Sequence, residues 1–178
     1  MQKEWRRVDI RLYHGSNMKI ETIDFSKCRP YKDFGAGFYL TTIYEQSEKM
    51  AKRVSRIYGG NPCINMYDFD KAAFKDNDLS IRIFDKPTKE WALFIINNRN
   101  RDFSNITDLE CNLDNKYDIV VGPVANDDLV LLFRQFSNGF IDMDTLVKEM
   151  EFKKLTNQYS FHTRKALQYL EKAGISNE

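Results

Sequence analysis

Histidine and cysteine are scarce in this chain of 178 residues, which holds two of the first and three of the second. Cys28, Cys63 and Cys111 are odd in number and lack metal-ligand spacing, so neither a disulfide framework nor a zinc site is expected. They read as structural thiols of a reducing cytosol. Charge of one sign is also missing: 27 Lys and Arg stand against 26 Asp and Glu, so no global field points to nucleic acid or to an acidic membrane. A solvated, mixed surface is the plain reading, and a local basic patch would be invisible in such a total. Long apolar runs are absent too. The densest, around Trp91 to Ile96 and Leu129 to Phe133, are too short to span a bilayer. The charged opening Met1-Gln2-Lys3-Glu4-Trp5-Arg6-Arg7 has no apolar run behind it, which excludes a secretory signal there. No Pro/Gly/Ser linker, repeat or low-complexity tract divides the chain, so a single domain over 1–178 is expected.

What is present fits a globular domain. Hydrophobic residues make up 42%, and of the aromatics 13 are Phe and 9 are Tyr, enough to fill a core of ordinary size. Val8 to His14 and Gly37 to Thr41 read as strands. Thr42 and Glu45 match a capping box, predicting a helix from there to about Tyr58, where Gly59-Gly60 ends it. Asn61 to Phe69 and Leu79, Ile81, Ile83 alternate as half-buried strands. Pro87 suits a first helical turn, with Trp91, Phe94 and Ile95 at helical spacing. Asn97 to Tyr117, rich in Asn, Asp and Arg, reads as a long, mobile surface connection. Tyr117 to Val121 is a buried strand ending at Gly122-Pro123. Helices over Asp127 to Phe136 and Asp142 to Glu151 follow, then a short strand from Tyr159 to His162. Thr163 then caps a terminal helix reaching Gly174. Strands and helices mix without strict βαβ alternation, so the class is α+β.

Three places carry candidate chemistry. Tyr13-His14-Gly15-Ser16 sets an imidazole and a hydroxyl at a strand end, where glycine allows close approach to the backbone. Gly35-Ala36-Gly37 gives backbone freedom before the strand bearing Tyr39; without a following Lys-Ser/Thr or a helix start it is no phosphate loop. Alternation through Asn157-Gln158-Tyr159-Ser160-Phe161-His162 puts Gln158, Ser160 and His162 on one face, with Tyr159 and Phe161 toward the core. Asp33 and Asn126-Asp127-Asp128 suit either a substrate loop or ordinary turns and caps.

In order and spacing, these segments resemble the His-Tyr-Glu signature of diphtheria-toxin-type ADP-ribosyltransferases and poly(ADP-ribose) polymerases. The resemblance rests on His14-Gly15-Ser16, Phe34-Gly35-Ala36-Gly37-Phe38-Tyr39-Leu40, Ser47 on the following helix and Asn157-Gln158-Tyr159. It implies an ADP-ribosyltransferase-like fold of two small, mostly antiparallel sheets forming a split core with flanking helices. It implies NAD as co-substrate, without metal. His14 would bond the adenosine ribose, and Gly15, with Ser16 and Gly37 beside it, would hold the nicotinamide end. Tyr39 would stack on the nicotinamide ring, Ser47 would touch the carboxamide, and Met50 would stand where relatives carry a second stacking aromatic.

Gln158 falls where the signature has glutamate. A neutral amide keeps a hydrogen bond to ribose but not the charge that stabilises positive charge developing there. The resemblance therefore implies mono-ADP-ribosyl transfer to a protein or nucleic acid acceptor rather than polymer elongation. An NAD glycohydrolase, an RNA 2′-phosphotransferase-like enzyme and a non-catalytic NAD or ADP-ribose binding module are the alternatives.

A second resemblance is to the bacterial domain of unknown function 3990 family. It rests on the Leu-Tyr-His-Gly-Ser opening at 12–16, Asp-Phe-Gly-x-Gly-Phe-Tyr-Leu-Thr at 33–41, Tyr-Asp-x-Val-x-Gly-Pro-Val-Ala-Asn-Asp at 117–127 and Gln-x-x-Phe-His-Thr at 158–163. It implies a bacterial, cytoplasmic protein in which glutamine at the third position is a shared trait. A toxin-like role with an antitoxin or regulatory partner is a natural context for so small a transferase.

Overall fold

A computed structural model describes residues 10–105 and 110–177. Its elements run β1 (Ile10–Ser16), β2 (Phe38–Thr41), α1 (Tyr44–Tyr58), β3 (Cys63–Phe69), β4 (Ile81–Ile83), α2 (Lys89–Arg99), β5 (Ile119–Pro123), α3 (Asp127–Ser137), α4 (Met143–Met150), β6 (Asn157–Phe161) and β7 (Leu170–Asn177). Short 3-10 turns lie at Phe25–Lys27, Lys71–Lys75 and Ala166–Tyr169. The α+β class is as expected.

The expectation of two small sheets is corrected, because all seven strands form one mixed sheet in the order β4-β5-β6-β2-β1-β3-β7. Only the β4–β5 pair is parallel. The join at the middle is narrow. β1 pairs with β3 along its whole length, from Ile10 opposite Phe69 to Ser16 opposite Cys63, but meets β2 at Tyr13 opposite Thr41 alone. Beyond that bridge no ladder pair joins the two strands, so the sheet is notched between them beside His14, Gly15 and Ser16.

Paired residues in an antiparallel ladder share a face, so the registers sort the side chains. Leu12, Phe38, Leu40, Tyr67, Phe69 and Phe161 form the core on one face, closed by Ile20, Ile23, Phe25 and Cys28 of the β1–β2 connection. On the other face, Phe34, Val120 and Tyr39 pack with Trp91, Phe94 and Ile95 of α2, Leu129 and Phe133 of α3 and Leu146 and Met150 of α4. Helix α1 lies on that same face, over β1.

Other local expectations change for identifiable reasons. The Thr42–Glu45 capping box does not form. The helix starts at Tyr44, its N-cap is Ile43, and Thr41 Oγ1 accepts the Ile43 amide at 3.1 Å. Pro87 precedes the N-cap of α2, Thr88, whose side chain accepts from the Trp91 amide. The strand placed at Val8 to His14 extends to Ser16, while Val8 and Asp9 lie outside the described residues. β5 starts at Ile119 rather than Tyr117 and takes in Gly122 and Pro123 as its last two residues, so the strand ends there as expected. The terminal helix is absent: after the turn Ala166–Tyr169 the chain forms β7 and pairs with β3 from Leu170 to Asn177. Residues 97–117 are not simply a surface connection, because Asn98, Cys111 and Asn112 are buried there. No helix among the described residues is long and apolar enough to cross a membrane.

Candidate functional site

The expected side chains stand on three neighbouring strands around the notch, His14 on β1, Tyr39 on β2 and Gln158 on β6. His14 shares a face with Leu12 and stacks on Phe38, ring centroids 4.3 Å apart. Its Nδ1–H donates to the Tyr39 carbonyl at 2.7 Å, spanning the gap between the strands. A carbonyl can only accept, so Nδ1 carries the proton and Nε2 offers a lone pair. Burial lowers the pKa to about 4; the Tyr39 bond opposes the fall and the nearby Lys32 cation adds to it. At neutral pH the imidazole is therefore an uncharged acceptor.

Tyr39 points to the opposite face. Its hydroxyl accepts the Phe34 amide at 2.9 Å and donates to the Gly35 carbonyl at 2.7 Å, fixing the glycine segment over the strand. Burial pushes this phenol well above its ordinary pKa. The ring lies nearly parallel to Phe34 at 6.1 Å and edge-on to His162 at 6.4 Å. Lys32 Nζ sits above the ring, 5.4 Å from its centroid. Tyr39 thus already holds a cation on its face.

The glycines have packing duties. A Cβ at Gly15 would lie 2.0 Å from the Ser47 carbonyl oxygen and 2.7 Å from the Ala51 nitrogen. That glycine is what lets α1 rest against β1. A Cβ at Gly37 would lie 2.6 Å from His162 Nδ1. Gly35 has φ +91°, the left-handed region that glycine enters without strain. Ser16 ends β1 opposite Cys63.

Ser47 is 2% exposed, and its Oγ donates to the Tyr44 carbonyl at 2.6 Å, keeping lone pairs but not its proton for anything else. Met50, one turn on, is 45% exposed. Gln158 lies opposite Thr41 on β2 and Gly122 on β5, partly buried, and its amide bonds to no described side chain or backbone group. Beside it a relay crosses the elements: Thr41 Oγ1 donates to Gln46 Oε1 at 2.8 Å, and Gln46 Nε2 donates to Thr156 Oγ1 at 2.7 Å. This relay ties the first turn of α1 to the start of β6.

His162 is 3% exposed. Its Nδ1–H donates to the Ala36 carbonyl at 2.8 Å, leaving Nε2 an acceptor 2.8 Å from Ser160 Oγ, whose one proton is shared between Nε2 and the Val120 carbonyl at 3.1 Å. Burial lowers its pKa to about 4 against the opposing Ala36 bond and Asp118 charge. Its place is a buried post under the glycine segment.

Asp33 is likewise structural. Its carboxylate accepts from Arg99 at 2.6 Å and from the Ala125 amide at 2.8 Å, and its carbonyl accepts from Asn98 at 3.0 Å. Asn98 Oδ1 in turn accepts the Asn112 amide, and Asn112 donates to the Phe34 carbonyl at 3.3 Å. Asn126 is the N-cap of α3, accepting from the Leu129 amide, with Asp127 and Asp128 in its first turn. Sequence reading did not pick out Lys32, Gln46, Asn98, Arg99 or Asn112. For Gln46 the one available signal is its place five residues after the strand that follows Gly35-Ala36-Gly37. Asn98, Arg99 and Asn112 act through partners far away in the chain, and Lys32 through Tyr39, seven positions on.

Residues 10–172 match the family described as protein of unknown function (DUF3990). The chain belongs to that family. All four of the segments quoted for it fall within the matched span; those at 12–16 and 33–41 flank the notch, and that at 158–163 lies on β6, the next strand beyond β2. The DUF3990 segment at 117–127 forms β5 and the cap of α3, which hold β6 and Asp33 in place. No curated protein and no solved structure matches the chain.

Proposed function

We propose that the notch is an NAD site and that the protein is a mono-ADP-ribosyltransferase, releasing nicotinamide and passing ADP-ribose to a macromolecular acceptor. The observation that carries this reading is the register. His14, Tyr39 and Gln158 stand on three neighbouring strands, with His14 on one face and the other two on the opposite face. A ligand touching all three must be long and two-ended, reaching both faces of the sheet at the break between β1 and β2, as a dinucleotide would. At one end the neutral His14 accepts a ribose hydroxyl through Nε2. At the other the Tyr39 ring takes a flat cationic ring in place of Lys32, since a pyridinium and an ammonium compete for the same π face. Ser47 accepts from the carboxamide N–H, its own proton being held by Tyr44.

Gln158 sets the rate. Its amide bonds the ribose next to the breaking bond without stabilising the positive charge that grows there. Charge-assisted hydrogen bonds are roughly twice as strong as neutral ones, so Gln158→Glu is expected to raise nicotinamide release by about tenfold or more. The test measures nicotinamide and label transfer from radiolabelled NAD, with and without bacterial lysate. Release that requires lysate identifies a transferase, and release without it a glycohydrolase. Saturable NAD binding that His14→Ala abolishes, with no release even from Gln158→Glu, would replace the enzyme by a binding module.

A further inference from the structure

Beside the notch, the loop 28–33 meets the C-terminal ends of α1 and α2 in a cluster of paired cations and rings. Arg29 lies over the Tyr58 ring at 4.7 Å, Arg101 over Tyr31 at 5.1 Å and Lys32 over Tyr39 at 5.4 Å. Tyr58 is 54% exposed and Tyr31 37% exposed. Tyr31 takes φ +60°, a left-handed conformation uncommon for so bulky a residue, and so is held in place at some conformational cost. Arg29, Lys32 and Arg101 form no ion pair among the described residues. The carboxylate nearest them in the loop, Asp33, is already committed to Arg99 and the Ala125 amide. The near-zero net charge of the whole chain therefore conceals a local basic face here, on which Asp33 is the carboxylate acting on Lys32.

We infer that this face binds single-stranded nucleic acid and presents it as the acceptor of ADP-ribose. Phosphates and flat rings alternate along such a strand as guanidinium and phenol groups do here. Exposed tyrosines stacked under arginines offer platforms for unpaired bases, while the cations track the backbone. A duplex hides its base faces and would leave the rings unused. An acidic peptide would use the cations alone. The binding surface stands by itself, but the role as acceptor rests on the transferase reading, so the two are tested apart.

The first arm measures binding of fluorescein-labelled 20-nucleotide single strands, U20 and dT20, by anisotropy across a salt series and without NAD. Three phosphate contacts predict a log–log salt slope of about −2. Tyr58→Ala and Arg101→Ala, both at exposed positions, should each weaken binding about tenfold or more, with unfolding midpoints near that of the unaltered protein to show intact folding. The same 20-mers as duplexes should bind more weakly. No binding, equal binding by both variants, or tighter binding of poly-glutamate than of either strand would overturn the inference. In the second arm the unaltered protein is incubated with labelled NAD and U20 or dT20. Label on the strand supports the acceptor role. Strand binding together with NAD cleavage but no labelled strand overturns that role and leaves the NAD site standing, whereas no NAD cleavage at all counts against the transferase reading.

Discussion

His162 is a buried base whose two ring nitrogens are spent on the Ala36 carbonyl and Ser160, so its protonation is coupled to folding. In the unfolded chain a histidine titrates near 6.5, and here burial holds it at about 4. Between those values the unfolded chain binds more protons than the folded one, so stability rises with pH across that window and falls as the solution is acidified. A shift of this size corresponds to about 3 kcal/mol. Urea unfolding at pH 4.5 and pH 7 should show the loss, with His14 contributing in the same direction. His162→Gln should flatten much of the slope. An unchanged slope would mean that the ring is protonated and solvated in the folded protein. Neither histidine could have been assigned this behaviour from sequence, since the carbonyls that hold their Nδ1 atoms, Tyr39 for His14 and Ala36 for His162, lie more than twenty positions away.

At the scale of elements, Gly15 decides whether α1 and β1 can touch. Any Cβ there would strike the Ser47 carbonyl oxygen, a backbone atom that cannot swing aside. Gly15→Ala is expected to cost about 3 kcal/mol, readable as a lower denaturation midpoint, while Gly59→Ala meets no neighbouring atom and costs only the strain of its φ of +78°. If the two variants prove equally stable, α1 does not pack as described. The sequence made α1, α3 and α4 legible through local signals, although their caps prove to be Ile43, Asn126 and Asp142, not the Thr42–Glu45 box or a helix beginning at Asp142. It misled at the end of the chain. Arg164 to Ala173 is composed of good helix formers, but the edge of β3 offers a full ladder of backbone partners, and that pairing outweighs intrinsic preference. The site divides in the same way. His14, Tyr39 and Gln158 could be named from short motifs, whereas Lys32, Gln46 and the Asp33–Arg99 pair depend on contacts that no motif encodes.

Across the whole molecule, the single bridge at Tyr13 and Thr41 divides the sheet into β4-β5-β6-β2 and β1-β3-β7. Each part has its own continuous ladder, so each should open as a unit of its own. Native-state amide exchange is expected to show two sets of protected strands with separate opening free energies, and early exchange at His14 to Ser16 on the notch side. One common opening energy across all seven strands would contradict this. Bound NAD, which spans both parts in the proposed site, should bring the two energies together.

The pairing of Thr41 with Gln158 joins positions 117 residues apart in the chain. A growing polypeptide that has already displayed His14 and Tyr39 still lacks β6, and with it Gln158, the relay through Thr156 and the post under the glycine segment. Until that late strand leaves the ribosome, the constellation proposed to act on NAD is incomplete. Under that proposed reading, the protein is harmless during its own synthesis, its activity timed by the order of translation.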